Sequence, residues 1–345
     1  MNSMKIHQLK IKGFKSIEEI VLDAPNPFSV FVGANGAGKS NIFEALEFLN
    51  YCNVMEPHEA LKYFGKLEDL INKNLDSSIP ISFDIKLKEI NPFFSLSPDP
   101  KTQPPLTFTE SSYVDFGKYF GEKFGIKEMK AAFANHEYSH LTNFSRIFIR
   151  NNSLLKRNTQ DDSQIALDAS NLERVLKRIF QDEKIKREMI EILQVLVPGF
   201  DSIEIKSEEL SGTDSLLVYE KSLKKPLTKR LISDGTFNIL AILAAIYQSD
   251  RPQFLCIEEP ENGLNPKVVK ELVAIIRNQC QDKGHYIWIN THSQTLVSEL
   301  LPEEIILVDK VNGMTQTKQV SGMNLHGLKM DEALLTNSLG GGIPW

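Results

Sequence analysis

Apolar and polar residues alternate along the start of the chain, the period-two pattern of half-buried strands. Met4–Lys12 and Ile17–Leu22 carry it, and Phe28–Val32 reads as a third, buried strand. Ser40–Leu49 changes to helical spacing, with Ile42, Ala45, Leu46 and Leu49 on one face. Ile81–Leu87, just after Pro80, returns to the strand pattern. Asn91–Pro105 holds five prolines in fifteen residues and predicts an irregular surface loop. Helix is predicted over Phe116–Phe144 and strand over Arg146–Asn151.

The second half is more regular. Leu172, Val175, Leu176, Ile179 and Phe180 form one apolar stripe; Ile185, Met189, Ile192, Leu193 and Leu196 form another. Pro198-Gly199 stops the second helix. Ser202–Lys206 and Ser215–Tyr219 read as strands. After Ser233 comes a helix, followed by strand Gln253–Glu258, helix Pro266–Cys280, strand Tyr286–Asn290, helix Gln294–Leu301 and strand Ile305–Val308. Strands alternating with helices imply a parallel sheet and an α/β fold. The expected division is an N-terminal β lobe over 1–90, an irregular loop and helical insertion lobe over 91–200, and a C-terminal lobe over 201–345.

Composition narrows this picture. At 41% hydrophobic and 24% charged, the 345 residues suit a globular chain with a sizeable core. No apolar run approaches the ~20 residues that span a bilayer. The opening lacks a signal peptide's apolar segment, so a cytoplasmic protein without a membrane partner is expected. Cys52, Cys256 and Cys280 are odd in number and far apart, which argues against a disulfide framework or a zinc site. A net charge of −6 confines any nucleic-acid contact to a local basic patch.

Four stretches carry chemistry. Gly33-Ala34-Asn35-Gly36-Ala37-Gly38-Lys39-Ser40 fits G-x-x-x-x-G-K-[ST] between a strand and a helix. Glycines let backbone N–H groups close around phosphate oxygens, and the helix N-terminus adds its positive end. Asn35, Gly36, Ala37, Gly38, Lys39, Ser40 and Asn41 are therefore candidate ATP contacts; Lys39 reaches the β- and γ-phosphates and Ser40 ligates Mg²⁺. In FLCIEEPENGLNP, Phe254–Pro266, an apolar strand ends in two acids. Glu258 is the candidate Mg²⁺ ligand and Glu259 the candidate general base. His292, in IWINTHSQ, sits past the next strand, where its side chain can lean over a γ-phosphate. Leu231-Ile232-Ser233-Asp234-Gly235-Thr236 opens an apolar helix and makes a second anion site, one that Ser233 and Gly235 could close on ATP held by another copy of the chain. Read alone, that stretch is simply a good helix cap.

In chain order (P-loop, the Leu231–Thr236 signature, the acid pair in IEEPENGLNP, then Thr291-His292-Ser293), the four motifs resemble the ABC-type ATPase heads of the SMC, RecF and OLD-like group, often catalogued as AAA-family ATPases. The opening MKIHQLKIKGFKSI, the segments DASNLERVL (Asp168–Leu176) and VLVPGF (Val195–Phe200), and the ending SLGGGIPW resemble that group too. The resemblance implies a P-loop NTPase head and an ATP-gated homodimer with nucleotides sandwiched between heads. Lys39 and Ser40 would be phosphate and Mg²⁺ ligands, Glu258 and Glu259 metal ligand and base, and His292 the γ-phosphate sensor. Ser233 and Gly235 would act across the dimer, with Asn262–Asn265 crossing its interface.

The chain departs from the group's pattern in three places. The first acid is Glu258, not Asp; the signature reads Ser-Asp-Gly; and no glutamine occurs from Asn41 to Thr102 to serve the metal. The insertion has no room for a long coiled coil, and the 53 residues after His292 are too few for a toprim nuclease domain. The expectation is an ATP-driven switch that controls a separately encoded effector in a bacterial defence or toxin–antitoxin-like module. The rival is a RecF-like DNA-repair ATPase. DNA is a candidate partner through Lys221, Lys224, Lys225, Lys229 and Arg230, five cations in ten residues. His136-Glu137-Tyr138-Ser139-His140 matches the H-E-x-x-H zinc motif, but no third ligand is evident.

Overall fold

The computed structural model describes residues 5–55, 57–76, 79–87, 93–96, 106–107, 143–149, 162–207, 213–323, 325 and 327–342. At its centre is a six-stranded sheet. Strands β3 (Phe28–Val32), β7 (Phe144–Ile147), β11 (Phe254–Glu258), β12 (Tyr286–Thr291) and β13 (Ile305–Val311) run parallel in the order β13-β3-β12-β11-β7. An antiparallel strand, β14 (Met314–Gln319), closes the β13 edge. The inner strands are apolar on both faces because both faces are covered. Phe28, Val30, Leu255, Ile257, Ile287 and Ile289 face one core, whereas Phe31, Phe254, Cys256, Tyr286 and Trp288 face another.

The first core is filled by helices. α4 (Leu172–Ile179), α5 (Glu183–Leu196), α6 (Asp234–Tyr247), α7 (Pro266–Lys283) and the one-turn α8 (Gln294–Val297) contribute to it. α6 is buried continuously from Asn238 to Tyr247, which explains its almost unbroken apolar sequence. A small antiparallel sheet of β8 (Phe200–Ser207), β9 (Asp214–Glu220) and β10 (Leu227–Thr228) packs beside α4 and α5.

The second core lies between the central sheet and a five-stranded antiparallel sheet. That sheet contains β1 (Gln8–Phe14), β2 (Ile17–Asp23), β4 (Ile81–Lys86), β5 (Phe93–Leu96) and β6 (Leu106–Thr107), in the order β2-β1-β4-β5-β6. α1 (Lys39–Val54) belongs to this core, and burial of Phe43, Phe48 and Cys52 as well as the predicted stripe carries it five residues past the expected end. α2 (Pro57–Phe64) packs against α1, and Phe48 and Phe64 meet edge-to-face at 5.2 Å between ring centres.

Five expectations about elements need correction. The first strand, expected over Met4–Lys12, is Gln8–Phe14, because its pairing with β2 runs on to Phe14 opposite Ile17. The proline-rich stretch is not wholly irregular: Phe93–Leu96 is a proline-free window between Pro92 and Pro98, and it pairs with β4. The strand expected at Arg146–Asn151 is Phe144–Ile147, because its register is set by β11, with Phe144 opposite Phe254 and Ile147 opposite Ile257. Phe144 thus opens a strand; the rest of the helix expected at Phe116–Phe144 lies outside the described residues up to 142. The helix predicted to reach Leu301 stops at Val297, where the Ser298 hydroxyl donates to the Thr295 carbonyl. The short helices α3 (Leu67–Leu70) and α9 (Met330–Leu335) and the strand β14 carried no clear sequence period and went unpredicted.

Candidate active site

The C-terminal ends of β3, β11 and β12 meet at one rim of the central sheet, the usual place for a ligand in an open α/β fold. The loop from Gly33 leaves β3 here. A Cβ on Gly33 would sit 2.0 Å from the Val308 carbonyl oxygen. Gly38 has φ +102° and would place a Cβ 1.9 Å from Thr315 Oγ1. Both positions therefore demand glycine. Thr315 Oγ1 donates to the Ala37 carbonyl at 2.9 Å and contacts Ser16 Oγ at 2.6 Å, while Asn41 Nδ2 donates to Ser16 at 2.6 Å. The β13–β14 hairpin and the β1–β2 turn thus brace the loop from beneath. Asn35 and Gly36 are exposed at its crest.

Lys39 is only 7% exposed and donates to the carbonyls of Gly33 at 2.7 Å and Ala34 at 2.9 Å. Burial lowers its pKa from the ordinary lysine value, against the opposing pull of Glu259, Glu261 and Glu258. Ser40 Oγ donates to Glu258 Oε2 at 2.5 Å. The same oxygen accepts from Asn290 Nδ2 at 3.0 Å. Two oxygens expected to share a metal are therefore neighbours, 218 residues apart in sequence.

Glu259 has φ +46°, a left-handed conformation costing a non-glycine residue about 1–3 kcal/mol. Its N–H is shared between the Asn290 carbonyl at 3.0 Å and Asn290 Oδ1 at 3.1 Å. This kink turns the chain out of the strand and leaves the Glu259 carboxylate half-buried. Asn262 Nδ2 donates to its Oε2 at 2.7 Å, and His292 Nδ1 lies 3.5 Å from its Oε1. Proposed base and proposed sensor are thus adjacent.

Ser233 caps α6, accepting from the Thr236 N–H at 3.1 Å, and is exposed. Gly235 is buried against the loop after the acid pair: a Cβ there would lie 2.6 Å from the Gly263 carbonyl. Asn238 Nδ2 donates to the Asn262 carbonyl at 2.6 Å. The signature helix is thereby tied to Asn262 and, through it, to Glu259.

Sequence reasoning missed several participants. Asn290, the polar end of YIWIN, was legible as an irregular ending to an apolar strand. Glu261 is 8% exposed; Thr291 Oγ1 donates to its Oε1 at 2.5 Å, and burial above all raises its pKa. Arg146 gave no sequence signal. It is buried on β7, with Nε donating to Glu258 Oε1 at 2.6 Å and a terminal nitrogen to Glu47 Oε2 at 3.0 Å. Burial works against its charge, but Glu258, Glu47 and Glu44 outweigh that and hold its pKa above the ordinary value. The H-E-x-x-H stretch lies outside the described residues, among which no group of three or more His, Cys, Asp or Glu is placed to hold a metal. No helix of the described residues is long and apolar enough to cross a membrane.

A glycine loop feeding a helix, a strand ending in carboxylates beside it and a parallel sheet behind them define a P-loop NTPase of the ABC type. The chain belongs to the AAA-domain family described as "AAA domain, putative AbiEii toxin, Type IV TA system", whose model matches residues 28–298. It is 22% identical over 339 residues to an ATP/GTP phosphatase of Helicobacter pylori, covering 87% of this chain and 88% of that one. A 91-residue segment is 41% identical to the DNA replication and repair protein RecF of Lactococcus lactis, a quarter of each chain. The SMC head solved with the C-terminal winged-helix domain of ScpA matches with a TM-score of 0.63 at 18% identity, over 94% of this chain and 99% of that one. The protein is an SMC- and RecF-like ATPase with an SMC-head fold.

Proposed function

We propose that this ATPase is an ATP-gated dimerisation switch whose closed form acts on a separately encoded effector in the bacterial cytoplasm. The observation that carries the reading is the continuous chain of contacts from Ser40 through Glu258 and Asn290 to Glu259, and from Glu259 through Asn262 to the start of α6. One end of that chain adjoins the phosphate loop; the other presents Ser233 to solvent, where a second head could use it. A change at the phosphates has a physical route to the docking face.

In this reading Asn35 to Asn41 and Lys39 hold the phosphates of ATP, with Ser233 and Gly235 closing on the nucleotide of the partner head. Ser40 Oγ and Glu258 Oε2 fit Mg²⁺, a hard ion that takes few protein oxygens and completes its shell with water and phosphate. Held there by Ser40 and Glu258, the ion would supply positive charge against the phosphates of ATP. Glu259, oriented by Asn262 and the left-handed turn, accepts a proton from the attacking water. His292 senses the γ-phosphate beside it. The three lobes work as one head. An effector encoded apart from this chain suits the toxin–antitoxin description of the family.

Light scattering of Glu259→Gln with and without ATP and Mg²⁺ tests the switch. The expected outcome is a dimer that accumulates with ATP and falls apart without it, while hydrolysis drops by about 10²–10⁴-fold. A mass that ignores ATP would sink the switch reading.

A RecF-like action on DNA is the second reading, favoured by one surface. Lys221, Lys224, Lys225 and Arg230 are exposed at and just beyond the β9–β10 turn, whereas Lys229 is engaged with Glu173 at 2.9 Å and lies over the Phe237 ring. Co-elution of duplex DNA with the ATP-bound dimer, lost as salt rises, would favour it.

A further inference from the structure

Arg146 stands opposite Cys256 in the parallel pairing of β7 with β11, so its side chain shares a sheet face with Cys256 and with Glu258, two residues further on. That face is covered by α1, which presents Glu47. The buried guanidinium fills the space between, holding Glu258 Oε1 on one side and Glu47 Oε2 on the other. α1 is also the helix that begins with Lys39 and Ser40. We infer that Arg146 is a positioning residue that sets the metal-binding geometry: by gripping one oxygen of Glu258 and anchoring to α1, it fixes the other oxygen at the Ser40 hydroxyl.

Glutamate at position 258 has one more rotatable bond than aspartate, so its carboxylate needs more restraint to keep one orientation. Arg146 supplies that restraint through a planar fork that a lysine cannot match. Asn290 on β12 holds only Oε2. Without Arg146, Oε1 is free to turn, and two buried carboxylates face each other across the space it filled.

The inference rests on Glu258 being a metal ligand, and the experiment separates the two. Binding of a fluorescent ATP analogue is titrated at increasing Mg²⁺, and also without Mg²⁺, for wild type and for Arg146→Met, Arg146→Lys, Glu47→Gln and Glu258→Gln. Arg146→Met is expected to raise the half-saturating Mg²⁺ by about 10–100-fold, the scale for losing a partner that orients a metal ligand. Mg²⁺-free binding, which uses the glycine loop, stays as in wild type. Arg146→Lys recovers only part of the shift. Glu47→Gln, which keeps the Arg146–Glu258 contact, shifts the requirement less and in the same direction; it decides the question if Arg146→Met does not fold. An unchanged Mg²⁺ requirement in Arg146→Met, or in Glu47→Gln where it must decide, overturns the positioning role. An unchanged requirement in Glu258→Gln overturns the metal assignment itself.

Discussion

The two halves of the site are built differently. The phosphate loop is contiguous: eight residues, Gly33 to Ser40, contain its glycines, its lysine and its hydroxyl. The carboxylate half is assembled from four elements that lie far apart in sequence: Glu47 from α1, Arg146 from β7, Glu258 and Glu259 from the end of β11, and Asn290 from β12. The loop tolerates little change at Gly33 and Gly38, where its backbone sits against Val308 and Thr315. The carboxylates depend on charge balance, and breaking a buried pair such as Arg146–Glu258 by removing one partner costs about 3–5 kcal/mol. The first half can therefore be recognised as a string, whereas the second exists only once the sheet has formed.

Lys39→Ala should break the local half with the largest effect. Removing a buried charged contact lowers affinity by roughly 100-fold or more, and isothermal titration with ATP reads it directly. Wild-type affinity in that variant would remove the loop from the binding site.

Gly38→Ala tests whether the local half is as self-sufficient as its sequence suggests. The substitution forces a Cβ into the Thr315 hydroxyl at a positive φ, and about 1–3 kcal/mol of stability should be lost, read as a fall in thermal midpoint. Adding Thr315→Ala removes the nearest contact but leaves Ser16 Oγ at 2.8 Å and the backbone strain, so the double variant should recover part of the loss. Strict additivity of the two substitutions would mean the hairpin does not brace the loop.

Glu261→Gln sharpens the carboxylate half and should have the smallest effect. Burial raises the Glu261 pKa above the ordinary value of 4.5. A carboxyl held higher in the folded state than in the unfolded one contributes stability below the ordinary value, and that contribution is lost as pH rises through the folded value. The glutamine variant cannot ionise, so its thermal midpoint should fall less than that of wild type as pH is raised through this window. Parallel midpoint curves for the two proteins would show that Glu261 does not titrate across it.

Much of the molecule was readable in one dimension. The period-two pattern and apolar runs fixed β1, β2, β3, β11 and β12, because strands covered on one or both faces must match their burial. The spacing of Leu172 to Leu196 fixed α4 and α5 for the same reason. Gly33 to Ser40 and Glu258-Glu259 could be picked out as candidates because the chemistry proposed for them needs particular residue types next to one another in sequence. Only tertiary structure decided the rest. β5 hid among prolines, and the register of β7 came from its neighbour β11. Arg146 and Asn290 became partners of Glu258, and Glu47 of Arg146, because the parallel sheet sets distant strands side by side and packs α1 over that face. Side-chain charge has no period along the chain, so which carboxylate meets which cation is settled by register and packing.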